Sequence, residues 1–79
     1  MDDERPAWAL WLQQQRQERN WSWRRLARQL RQRADKYGWR LPSDDDLIRM
    51  MRRWERGEHK PDERYRVLLA EVYDDSAPE

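Results

Sequence analysis

Apolar residues recur along this chain at helical rather than strand spacing, in four separate stretches. The sharpest lies between Ser43 and Gly57. Leu47, Met51 and Trp54 fall on one side of it, while Arg49, Arg52, Arg53 and Arg56 point elsewhere. Its ends are legible too. Ser43 suits an N-cap, and Asp46 stands where an acidic side chain closes a capping box. Gly57 follows the last turn, where a left-handed stop is usually glycine. The pattern predicts a helix over 44–56.

Before it, Trp23, Leu26, Ala27, Leu30, Ala34 and Tyr37 share one helical face, with Ser22 as cap and Gly38 as terminator. This is the most regular apolar row in the chain and predicts an elongated helix. Pro6 suits the first helical position, so another helix is expected over 6–19, with Trp8, Trp11 and Leu12 inward. Asn20 tolerates the left-handed conformation that would end it. A last helix is capped by Asp62 and runs to residue 73, burying Tyr65, Leu68, Leu69 and Val72. Trp39-Arg40-Leu41-Pro42 reads as a short connector, since Pro42 biases Leu41 away from helix. The expected fold is all-α, a small bundle of four or five helices. One domain covers 6–73, with a tail over 1–5 and an acidic tail or linker start over 74–79.

Composition narrows the chemistry. There is no cysteine, hence no disulfide framework, thiolate metal site or thiol nucleophile. The longest apolar run, residues 7–12, is too short to span a bilayer, so no membrane partner is expected. Apolar residues make up only 37%, and six tryptophans offset that shortage because each can bury roughly 150–250 Å². The net charge of +1 is uninformative, but its distribution is not. Residues 1–20 carry three Arg against four acidic residues, 21–60 carry twelve Lys or Arg against six, and 61–79 carry two Arg against six. A basic middle between acidic ends fits a positive field concentrated on one face.

Candidate catalytic groups are sparse. His59 is the sole histidine, in a polar loop between Glu58 and Lys60, and reads as a surface residue. Asp44, Asp45 and Asp46 are consecutive and diverge around a helix turn, without zinc or calcium ligand spacing. Two glycines make no phosphate-binding loop. The expectation is a non-enzyme with no catalytic residue, metal or cofactor.

Residues 13–30, with Arg16, Asn20-Trp21-Ser22 and Leu26-Ala27-Arg28-Gln29-Leu30, resemble the first two helices of the phage-repressor/Cro-like helix-turn-helix (XRE) family. Met51-Arg52-Arg53-Trp54-Glu55-Arg56-Gly57 is similar to the end of that family's recognition helix. The stretch 61–73 is similar to the following helix in actinobacterial members. The resemblance implies an ion pair between Arg16 and Glu55, clamping helix 1 to the end of helix 3. It implies a recognition helix in the major groove with Arg49 and Arg53 toward base edges, and Arg52 toward bases or phosphate. Ser22, Arg24 and Arg28 at the start of helix 2, with Arg56 and Lys60 beyond helix 3, are then expected on phosphates. Two positions depart from the pattern. Leu30 and Trp54 are twenty-four residues apart, far more than the motif's tight turn leaves, so the helix 2–3 connection is extended. Trp23 stands where many members carry a phosphate-binding glutamine; its indole N–H could still donate to phosphate, but the core stripe is the favoured expectation.

The three carboxylates at the start of helix 3 would repel a phosphate backbone. Docking shifted toward the arginine-bearing half resolves this, as would pairing to cytosine amino groups or to Arg31 or Arg40. The expected function is sequence-specific binding of double-stranded DNA by a cytoplasmic, nucleoid-associated transcriptional regulator. A homodimer through Tyr65, Val67, Leu69 and Tyr73 is one expected assembly. The alternative is an antitoxin-like module that keeps the fold and binds a protein partner.

Overall fold

A computed structural model describes residues 4–75 of the chain. They form α1 (Ala7–Glu18), α2 (Trp23–Tyr37), α3 (Asp44–Arg56) and α4 (Glu63–Asp75), with no strand among the described residues. No helix among them is long and apolar enough to cross a membrane. The fold is all-α, α2 is its longest helix, and a six-residue segment over 38–43 joins α2 to α3.

The boundaries follow local chemistry. The Arg25 amide donates to Ser22 Oγ at 3.1 Å, that of Asp46 to Ser43 Oγ at 3.4 Å, and that of Tyr65 to Asp62 Oδ1 at 3.1 Å. Each side chain thus satisfies one of the amides a helix start leaves unpaired. The stops share one device. After α1, α2 and α3 the chain passes through a left-handed residue: Asn20 at φ 55°, Gly38 at 69° and Gly57 at 77°. The next amide reaches back to a carbonyl five residues earlier, as Trp21 to Arg16, Trp39 to Ala34 and Glu58 to Arg53. This paired-bond termination consumes carbonyls that would otherwise be orphaned. Pro6 sits one position earlier than expected. Its extended ψ of 153° puts it outside α1, and its carbonyl accepts from the Ala9 and Leu10 amides.

Inside, Leu26, Leu30, Leu47, Met51, Trp54, Leu68 and Val72 are almost fully shielded from solvent. α1 packs on α3, α3 on α2, and α2 on α4, so of these three packed pairs only α2 and α3 are also neighbours in sequence. The two ends of this series, α1 and α4, meet mainly at one end. There the Arg19 guanidinium donates to the Tyr73 carbonyl at 2.8 Å, and Tyr73 stacks on Trp21 and meets Trp11 edge-on.

Several expected core positions lie elsewhere. Trp11 and Tyr37 are each 45% exposed. Tyr37 falls in the last turn of α2, past the reach of α3, and turns to α4. Its hydroxyl donates to a Glu71 carboxylate oxygen at 2.6 Å while its ring stacks on Trp39 at 4.5 Å. Only Trp21 and Trp54 of the six tryptophans are buried. Of the four residues assigned to a dimer contact, Tyr65, Leu69 and Tyr73 belong to the interior and Val67 alone is exposed. Arg5, placed in the tail by sequence, donates to the Glu55 carbonyl at 2.9 Å. The acidic end divides similarly: α4 extends through Asp75, and residues 76–79, like 1–3, lie outside the described residues.

Candidate nucleic-acid interface

The geometry of α3 follows from its period. Leu47, Met51 and Trp54 are buried, and Asp45, Arg49, Arg52 and Arg56, spaced by four, three and four, form one outward row. Arg53 is exposed on the adjacent row. Ile48 and Met50 flank the buried stripe and are half-buried against the core.

The C-terminal end of α3 is locked. Among the described residues Glu55 is the one charged residue that is buried, at 6% exposure. Arg16 from α1 meets it with two parallel bonds, Nε to Oε2 at 2.8 Å and Nη2 to Oε1 at 3.0 Å. The remaining Nη1 donates to the Trp21 carbonyl at 3.1 Å, and the guanidinium carbon lies 3.9 Å from the Trp23 ring centroid. A fork-on-fork pair with a third donor also engaged is a geometry in which a shielded ion pair is well compensated. Arg5 adds a bond to the Glu55 carbonyl. α1, the start of α2 and the end of α3 are therefore held in one arrangement.

Beside this clamp, a groove runs between the start of α2 and the outward row of α3. It is lined by Ser22, Trp23 and Arg24 on one wall and by Asp45, Ile48, Arg49 and Arg52 on the other. The wall at α2 presents a helix N-terminus, whose amides and dipole favour an anion. Arg52 also approaches the Trp23 ring, 5.8 Å from its centroid, so this tryptophan bridges the clamp and an exposed guanidinium. A contiguous hollow, again bounded by Trp23 and Arg52, adds Arg5, Gln13, Arg16, Glu55 and Arg56. Arg24, Arg49, Arg52 and Arg56 thus border one continuous surface.

Other expected contacts are dispersed. Arg28 is exposed one turn along α2 from Arg24, outside the groove. Arg53 faces solvent beside it. Lys60 lines a different depression, with Trp8, Trp11 and Arg66. His59 is exposed. No cluster of three His, Cys, Asp or Glu among the described residues could hold a metal ion.

The acidic start of α3 is handled in three ways. Arg31 donates through Nη2 to Asp44 Oδ1 at 2.7 Å and to the Pro42 carbonyl at 2.8 Å, tying α2 to the connector. Asp46 lies 3.9 Å from Arg49, and Asp45 enters the groove. Pairing with Arg31 therefore accounts for one carboxylate of the three.

Two contributors lacked a sequence signal. Arg5 reaches a carbonyl fifty residues away, and nothing local announces it. Trp23 was expected in the core stripe, yet it is half-buried and bracketed by two guanidinium groups, which its spacing could not announce. No protein-family model, curated protein or solved structure matches the chain.

Proposed function

We propose that this protein is a sequence-specific, double-stranded DNA-binding regulator of the helix-turn-helix type, similar to the XRE family, acting by occupancy without catalysis. One observation carries the reading: the capped start of α2 and the outward guanidinium groups of Arg49 and Arg52 converge on one groove. In this reading α3 enters the major groove and Arg49 and Arg52 address base edges, where a bidentate guanine contact discriminates by roughly 1–3 kcal/mol. Ser22 and the neighbouring amides grip a phosphate, Arg24 and Arg56 add charge on either side, and Arg28 and Arg53 meet the flanking backbone. The Arg16–Glu55 clamp is structural: it sets the angle at which α3 is offered.

Selection from a random duplex pool, followed by titration of variants, tests this. Arg52→Ala and Arg49→Ala each relax preference at discrete base pairs. Arg24→Ala weakens all duplexes alike and lowers the salt slope by about one. Asp45→Asn removes a like charge facing phosphate and tightens binding several-fold. Arg53→Ala follows the Arg24 pattern; loss of preference at one base pair would return Arg53 to base reading. Retention of no duplex at low salt would sink the proposal in favour of an interaction module with the same fold.

A further inference from the structure

A second recess shares no residue with the groove at α2 and α3. It lies between α1 and α4, the two helices left without full packing against each other. Trp8, Trp11 and Leu12 come from α1, Pro61 from the preceding loop, and Leu69 and Ala70 from α4. The resulting cleft has a volume of about 220 Å³ and is almost wholly apolar, and Trp11 in its wall also meets Tyr73 edge-on. Trp11 leaves 45% of its surface in water, and with half-buried Trp8 lining the same recess the exposed apolar surface is contiguous rather than a lone residue.

Two cations, Lys60 and Arg66, border this apolar floor. Among the described residues neither is engaged in an ion pair or a side-chain hydrogen bond. Their setting makes that notable, because residues 61–79 carry six acidic side chains against two arginines. One of those two arginines stands at the rim of this apolar recess.

We infer that this cleft docks an acidic amphipathic segment of a partner protein. A bulky apolar side chain of the partner enters between Trp8, Trp11 and Leu69, and flanking carboxylates meet Lys60 and Arg66. The exposed Ala70 gives the close approach, having no bulk to hold a helix away. A packed anchor ringed by polar contacts is the usual energetic centre of such an interface. An anionic lipid surface is the poorer fit, since the recess is concave and its rim carries two cations rather than the larger basic cluster a flat anionic surface calls for. The groove bearing Arg49 and Arg52 stays accessible, so duplex and partner can be held together.

Panning a random-peptide phage library on the immobilised 79-residue chain provides the test. Enriched peptides are expected to carry a Trp, Phe or Leu flanked by Asp or Glu. Their synthetic versions, titrated by fluorescence polarisation, lose at least roughly tenfold in affinity on Ala70→Glu and on the Lys60→Glu/Arg66→Glu pair. All three positions are solvent-facing, and unchanged thermal melts would show the fold intact; if Ala70→Glu fails to fold, the charge-reversed pair decides. Arg52→Ala leaves peptide binding unaltered, which separates this outcome from that of the duplex titration. The inference is overturned if no peptide is enriched over bare support or if the enriched set lacks carboxylates. Unchanged affinity in the charge-reversed pair would overturn it as well, as would competition by phosphatidylglycerol vesicles.

Discussion

The two ends of α3 carry the same kind of contact in different surroundings. At its C-terminal end, Glu55 and Arg16 retain 7% and 15% of their side-chain surface. At its N-terminal end, Asp44 and Arg31 retain 55% and 38%, although their closest approach, 2.7 Å, is the shorter. Distance therefore does not rank these pairs; access of water does. A shielded pair becomes costly when half of it is removed, because the survivor is stranded in a poorly polarisable site. An open pair loses little, since solvent takes over from the missing partner. The helix is fixed firmly where it meets α1 and negotiably where it meets the α2–α3 connector.

The greatest expected effect tests the firm end. Glu55→Ala or Arg16→Ala should lower unfolding free energy by about 3–5 kcal/mol, read from urea midpoints at constant slope. A loss below about 1 kcal/mol would place this pair in the same class as the exposed one.

The glycine stop beside the clamp sharpens the contrast. Gly57 and Gly38 share a left-handed conformation, but a Cβ at Gly57 would stand 2.6 Å from Pro6 Cδ, whereas one at Gly38 meets nothing within 4 Å. Gly38→Ala should cost only backbone strain, about 1 kcal/mol. Gly57→Ala should exceed it by about 1 kcal/mol or more, because the proline ring cannot swing aside. Equal melting temperatures for the two variants would show that the N-terminal segment does not press on the helix end.

Tyr73 offers a change in the opposite direction. Its ring is buried between Trp21 and Trp11, and its hydroxyl has no hydrogen-bond partner among the described residues. Burial, reinforced by the nearby Glu55 charge, pushes its pKa well above the ordinary tyrosine value. The folded state thus favours the neutral phenol. That preference is fully present below the unfolded pKa of about 10 and is lost progressively as pH rises beyond it. Tyr73→Phe should keep the packing, raise stability by about 1 kcal/mol at neutral pH, and flatten the decline in urea midpoint above about pH 10. A destabilised phenylalanine variant would reveal a hydrogen bond made by this hydroxyl.

The smallest effect belongs to the open end. Asp44→Asn should change stability by about 0.2–1 kcal/mol, and added salt should erase the difference. Persistence of the effect at high salt would mean that Arg31 anchors the connector more tightly than its exposure implies.

The helices were legible because their signals are local: Ser22, Ser43 and Asp62 cap amides three residues away, and Gly38 and Gly57 stop chains they adjoin. The inward faces of α2 and α3 were likewise readable from period alone up to Tyr37. That residue departs because its turn outruns the partner helix, which periodicity cannot register. Trp11 fails for a similar reason. It lies on an apolar stripe wider than the contact available to it, since α1 packs on α3 and leaves α4 largely uncovered. In the candidate interface, Arg49 and Arg52 could be placed by helix period, and Ser22 and Arg24 by position at a helix start. Lys60 could not, because a loop cation has no periodic face to assign it, and it sits beside Trp8 and Trp11 instead.

The contact between Pro6 and Gly57 has a practical corollary. Polypeptide joined ahead of Glu4 enters the body next to Arg5, which borders the hollow shared by Arg52 and Arg56. A leader or purification handle fused there adds its own charge to the proposed duplex-facing side. An aspartate-rich handle would then compete with phosphate and a lysine-rich one would feign affinity, so quantitative titrations call for fusion at the opposite terminus.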